Sequence, residues 1–104
     1  MPKGYWVVHN TVNDADSYRE KYVPLNQAPI AAHGGKFLVR GGQSETMEGS
    51  LRPRCVIIEF PSYQAALDCF RSEGYEAASV ERRKFSEGDV LIVEGYDGPQ
   101  PGDT

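Results

Sequence analysis

Apolar positions along this chain fall into short runs separated by turn residues and by two stretches of helical spacing. Tyr5-Trp6-Val7-Val8-His9 is aromatic and β-branched and reads as a first strand. Asn13-Asp14-Ala15-Asp16 supplies a helix cap with an acidic residue in the first turn, and Tyr18, Tyr22 and Leu25 then recur on one helical face. Pro24 and Pro29 each remove an internal hydrogen bond, so the spacing predicts a first helix of about two turns followed by a kinked or restarted segment ending near Ala32. Gly34-Gly35 can adopt left-handed angles and reverse the chain into a second strand, Phe37-Leu38-Val39-Arg40, which Gly41-Gly42 ends. Gln43 to Arg54 reads as an extended hairpin excursion with a turn at Glu48-Gly49-Ser50. Cys55-Val56-Ile57-Ile58-Glu59-Phe60 is the strongest strand, Pro61-Ser62 stops it, and Ser62 caps a second helix with Ala66, Leu67 and Phe70 on one side. Ser72-Glu73-Gly74 breaks that helix, a short helical turn follows to Arg83, and Val90-Leu91-Ile92-Val93-Glu94 is the last strand.

The element order is βαββαβ. It predicts an α+β, ferredoxin-like fold: a four-stranded antiparallel sheet in the order 4-1-3-2, with both helices on one face. Strand side chains alternate between faces, so each strand can be sorted by parity. One set, Trp6, Val8, Phe37, Val39, Val56, Ile58, Phe60, Leu91 and Val93, is wholly apolar and is assigned to the helices. The other is apolar in the middle (Val7, Leu38, Ile57, Val90, Ile92) and ionisable at its ends, with His9 and Arg40 beside Cys55 at one end and Tyr5, Lys36, Glu59 and Glu94 at the other. Such a patch needs a cover, because contiguous exposed apolar surface marks an interaction site.

Composition narrows the partners. A chain of 104 residues, 39% hydrophobic, builds one compact domain without a spacious internal pocket. The formal net charge of −4 disfavours nucleic acid and anionic membranes, both of which call for a basic face. The N-terminus lacks a signal-like or membrane-length apolar stretch, which leads to an expectation of cytoplasmic location. In that compartment Cys55 and Cys69 are expected to be free thiols.

Several ordered motifs, Lys3-Gly4-Tyr5-Trp6, Gly34 through Gly42, Arg52-Pro53-Arg54, Glu59-Phe60-Pro61-Ser62 and Val93-Glu94-Gly95, resemble the domain-of-unknown-function family numbered thirteen-thirty. The resemblance covers Pro2 to Tyr96, leaving 97–104 as a flexible tail. It implies membership of the dimeric α/β-barrel superfamily, and thus a homodimer in which a second sheet covers the mixed face. That superfamily includes cofactor-independent monooxygenases, isomerases and heme-dependent enzymes, so the fold alone does not assign chemistry. The chain departs from the family's common pattern at Leu51, at Cys69-Phe70 and at Gly74, and a pocket edge built there would differ in size or polarity.

Candidate chemistry centres on Arg40. Facing a barrel interior, it must meet an anion, either a ligand carboxylate or Glu59 or Glu94 of a second subunit. An unperturbed imidazole changes charge near working pH, so His9, beside it, is a candidate general base, or else a strand-end residue bonded to backbone. Tyr5, Tyr18 and Tyr22 could offer hydroxyls to a ligand, with core packing and a wet tip the alternative for the helix residues Tyr18 and Tyr22. Arg54 and Glu59 are ambiguous between ligand contact, ion pairing and solvation. His33 is placed to serve a helix C-terminus, and Arg82-Arg83-Lys84 reads as a solvated basic run. No phosphate loop and no metal-ligand spacing is present, so no cofactor is expected. Two functions follow: a dimeric barrel that binds a small, partly apolar anion and transforms it by cofactor-free acid/base chemistry, or a non-enzymatic dimeric binding or assembly module with a packed interior.

Overall fold

In the computed structural model, residues 1–103 are described, so Thr104 of the tail lies outside them. Four strands, β1 (Gly4–Val12), β2 (Lys36–Arg40), β3 (Arg54–Phe60) and β4 (Ser86–Glu94), form one antiparallel sheet in the order β2-β3-β1-β4. This is the α+β architecture and strand order expected from the alternation of elements.

The first helical segment is longer and more continuous than its two prolines suggest. It runs as α1 (Ala15–Ser17), a π-helical turn (Tyr18–Tyr22) and α2 (Val23–Ala32). Asp14 caps its start, accepting from the Ser17 amide at 3.1 Å. Pro24 has no N–H for the preceding turn, and the helix widens just ahead of it instead of stopping. At its end, Gly34 takes φ +77° while its amide donates to Ala31 and that of Gly35 to Ile30, a Schellman motif with His33 as C-cap. The His33 ring closes this end through Nδ1 and the Pro29 carbonyl, 2.8 Å apart.

The second helical region also exceeds expectation. Ser62 caps α3 (Tyr63–Arg71) through the Ala65 amide, and Ser72 caps α4 (Glu73–Phe85) through Tyr75. Ser72 thus restarts a full helix where the sequence predicts only a break and a short turn. Between β2 and β3, residues 43–53 contain no strand, so the expected hairpin excursion is an irregular loop.

Trp6 is the hub of the core. It is 1% exposed, and its ring meets Phe60, Phe70 and Tyr75 at centroid distances of 5.1, 5.4 and 4.8 Å. Its indole N–H donates to the Ala66 carbonyl at 2.9 Å and ties β1 to α3.

Two of the four strands depart from the expected phase. In β4, Ile92 lies opposite Trp6 and Val90 opposite Val8, so these two pack on the core while Leu91 and Val93 are 59% and 41% exposed. The run Val90–Val93 carries no internal alternation, and only pairing with β1 sets its face; Glu94, opposite Gly4, shifts with it. In β2, a bulge makes Phe37 face Ile58 but sets Val39 opposite Ile57 and Arg40 opposite Val56. Val39 therefore joins the open face, and Arg40 turns toward the helices. The uncovered apolar face consists of Val7, Ile57, Leu91 and Val93 with Leu38 and Val39 at its edge.

Trp6→Ala is expected to cost about 3–5 kcal/mol in urea unfolding, the range for emptying a large aromatic site. A loss below about 1 kcal/mol would mean that the core closes without its hub.

Candidate functional site: an arginine-lined cleft between helices and sheet

The bulge in β2 and the pairing of Arg54 with Asn10 bring two arginines to the helix side of the sheet. Arg40 lies over the Phe37 ring, 4.2 Å from its centroid. Arg54 lies 5.5 Å from the Tyr18 ring centroid, with Nη1 3.5 Å from the Tyr18 hydroxyl. Gly41 makes room for it: φ is +68°, and a Cβ there would sit 3.1 Å from Arg54 Nε. One of the glycines fencing β2 is thus a seat for the neighbouring strand's arginine.

The opposite wall comes from the helices. The π turn carries Tyr18 and Tyr22 with ring centroids 5.0 Å apart, and the Tyr22 hydroxyl meets that of Tyr75 on α4 at 2.6 Å. Burial pushes the pKa of both Tyr22 and Tyr75 up, so the pair stays neutral and hydrogen-bonding across the physiological range. Beside them lies a partly open chamber of about 40 Å³, bounded by Trp6, Val8, Asn10, Tyr22, Asn26 and Arg82 among others. Tyr18, Val23, Arg40 and Arg54 border both it and an outer cleft of about 470 Å³ that Val12 and Arg19 also border.

Every ionisable side chain of fixed charge around these two spaces is an arginine, in a chain whose net charge is −4. Arg19 pairs with Asp16 at 2.8 Å on the surface. Among the described residues, Arg40, Arg54 and Arg82 pair with no carboxylate. Asn10 is 3% exposed, its Oδ1 has no hydrogen-bond partner, and neither has the buried Nε of Arg82.

The expected site residues separate into two groups. Arg40, Arg54 and Tyr18 meet in the cleft. His9, Tyr5 and Glu59 lie on the other face of the sheet, where Tyr5 donates to Glu59 at 3.1 Å and that carboxylate holds the phenol above its ordinary pKa. His9 stands in a row with Cys55 and Asp89 beneath the loop of Ser44–Arg52, and no hydrogen bond joins the three. The expectation that Arg40 and His9 share a face is therefore corrected: the bulge adds one residue to β2 and reverses the parity of Arg40. The cleft that Arg40 borders lies on the helix side of the sheet.

Arg82, Asn10, Tyr75 and Asn26 were not among the residues expected at a site, whereas Tyr22, expected as a possible hydroxyl donor, lines the chamber. Arg82 continues the spacing of Tyr75, Ala78 and Ser79 on the buried side of α4, and Asn10 continues the parity of Trp6 and Val8. Both signals sit in the sequence, the first masked by the basic run and the second by a strand expected to end at His9. Among the described residues, no three His, Cys, Asp or Glu side chains converge as a metal site, and no helix is long and apolar enough to cross a membrane.

Burial also sets an alkaline limit. Cys69 is fully buried, with Sγ 3.5 Å from the Pro29 carbonyl, and its thiol is pushed up to about 12. Above the ordinary thiol and phenol values, roughly 8.5 and 10, the unfolded chain sheds protons that folded Cys69, Tyr22 and Tyr75 retain. Stability should therefore fall as pH rises from about 8 to about 11, with the urea midpoint as the readout. A flat midpoint over that window would show that these groups titrate freely in the folded protein.

Comparison with known proteins supports the fold. A protein of unknown function from Rhodopseudomonas palustris superposes with a TM-score of 0.69 at 16% identity, covering 93% of this chain and 85% of that one. SnoaB, a cofactor-independent oxygenase from Streptomyces nogalater, gives 0.61 at 13% identity with 96% of each chain covered. An antibiotic biosynthesis monooxygenase so described from Caulobacter crescentus gives 0.61 at 17% identity, covering 96% and 92%. No curated protein matches the chain. At these identities the structures establish the shared fold alone. Residues 3–96 match the family described as "Domain of unknown function (DUF1330)", and the chain belongs to that family.

Proposed function

We propose that this protein binds a small, partly apolar anion in the cleft between its helices and its sheet, with Arg40 and Arg54 holding the charged end. The observation that carries this reading is the set of arginines around a cavity whose lining holds no carboxylate, with only Arg19 at its outer border paired, to Asp16. Guanidinium groups present paired N–H donors that match a carboxylate, and Trp6, Val8, Phe37 and Val23 offer apolar contact to the rest of the molecule. The same arginines would stabilise negative charge developing on a bound substrate, which is this site's contribution to any cofactor-free reaction. A fold shared with a described cofactor-independent oxygenase is compatible with such chemistry. His9 has no part in it, since it lies across the sheet.

The reading includes a homodimer. A patch containing Val7, Ile57, Leu91 and Val93 is large and apolar for a surface left in water, and a second copy presents the matching face. Leu91→Asp should then convert the dimer to monomers in sedimentation velocity without unfolding the chain. A wild-type protein that sediments as a monomer would remove this part of the proposal.

Benzoate and hexanoate are suitable first probes in a thermal-shift or calorimetric titration. Arg40→Ala and Arg54→Ala should each weaken binding roughly 10- to 100-fold, as expected for losing a charge-assisted hydrogen bond of about 1.5–3 kcal/mol. His9→Ala should leave it unchanged. Binding that survives both arginine changes, or that depends on His9, would place the site elsewhere.

A further inference from the structure

The inner chamber makes a demand that the arginines at the mouth do not explain. It holds an unsatisfied acceptor, Asn10 Oδ1, on a side chain 3% exposed, and an unsatisfied buried donor, Arg82 Nε. Both residues border the same space of about 40 Å³, room for roughly two or three water-sized groups. The Tyr22 and Tyr75 hydroxyls meet each other at 2.6 Å, and although the Arg82 guanidinium faces Tyr75, its Nε keeps no partner.

The chemistry of a guest for this chamber follows by elimination. A carboxylate accepts only, so it would suit Arg82 and oppose Asn10 Oδ1. An ammonium donates only, so it would suit Asn10, oppose Arg82 and add charge to a space already lined by cations. An apolar group would leave both atoms unpaired in a buried setting. A hydroxyl both donates and accepts, and can satisfy either atom or both.

Resting on the proposed anion site, we infer that the natural ligand is a hydroxy acid: its carboxylate sits at Arg40 and Arg54, its apolar body lies along Val12 and Val23 in the outer cleft, and its hydroxyl enters the chamber to be read by Asn10 and Arg82. Asn10 and Arg82 are then specificity residues, and Arg40 and Arg54 supply affinity common to all anions. A site built to pair a buried hydroxyl discriminates strongly against the analogue that lacks it, because both protein atoms lose their partner.

Matched acids test this by isothermal titration of the full chain: 4-hydroxyphenylacetate against phenylacetate, and 6-hydroxyhexanoate against hexanoate. In at least one pair the hydroxy acid should bind 10-fold tighter or better. Asn10→Leu should shrink that ratio severalfold while leaving the affinity of the deoxy acid within about twofold, and Arg82→Met should shrink the ratio as well. The second variant serves if the first fails to fold, and the wild-type ratio stands without either. Equal binding within both pairs would mean that resident water satisfies the two atoms, and would overturn the inference while leaving the anion site intact. A preference that survives both substitutions would overturn it too. If none of the four acids binds, the anion site itself fails and this inference falls with it.

Discussion

Everything in this molecule is sorted by the pleat of β1. As a central strand it pairs on both edges, and its alternation assigns each neighbour's residues to one side or the other. Trp6, Val8 and Asn10 face the helices; Tyr5, Val7 and His9 face away. A slip of one residue would carry Trp6 out of the core and exchange the two faces along with their chemistry. Trp6 opposes such a slip, because its ring packs against three aromatic neighbours and its N–H is committed to the Ala66 carbonyl.

The cleft forms where this ordering meets two local irregularities. The bulge in β2 adds a residue against β3 and swings Arg40 to the helix side, next to an arginine that β3 delivers by ordinary alternation. The π turn ahead of Pro24 stacks Tyr18 near Tyr22 and sends them toward the sheet. Bulges and π turns both carry a backbone cost and are frequent near functional sites. Here they flank one cavity from opposite layers.

Electrostatically the cleft runs against its protein. The chain as a whole is acidic, yet the lining carries arginines and neutral hydrogen-bonding groups. Guanidinium keeps its charge when half-buried, as at Arg54, where stacking on Tyr18 supplies part of what lost water would have given; Arg40, stacked on Phe37, stays exposed. The neutral tyrosine pair beside the chamber adds hydrogen bonding without adding charge.

Much of this was legible in the residues. Order of elements, capping by Asp14 and Ser62 and the glycine reversal after Ala32 follow from local rules, because each depends on a few adjacent residues, and the strand order follows from the element order through the split βαβ pattern. The arginines were identifiable as residues needing an anion, since that need belongs to the side chain itself. Which face each one joins was not, for a physical reason: side-chain direction in a strand depends on register with its neighbour, and register is a long-range property. The apolar run of β4 looks the same in either phase, and nothing in Phe37–Arg40 announces an extra residue. Partnership between Arg40 and His9 was therefore undone by one bulge, while the site with Arg54, Arg82 and Asn10 came into being only when helices and sheet closed over it.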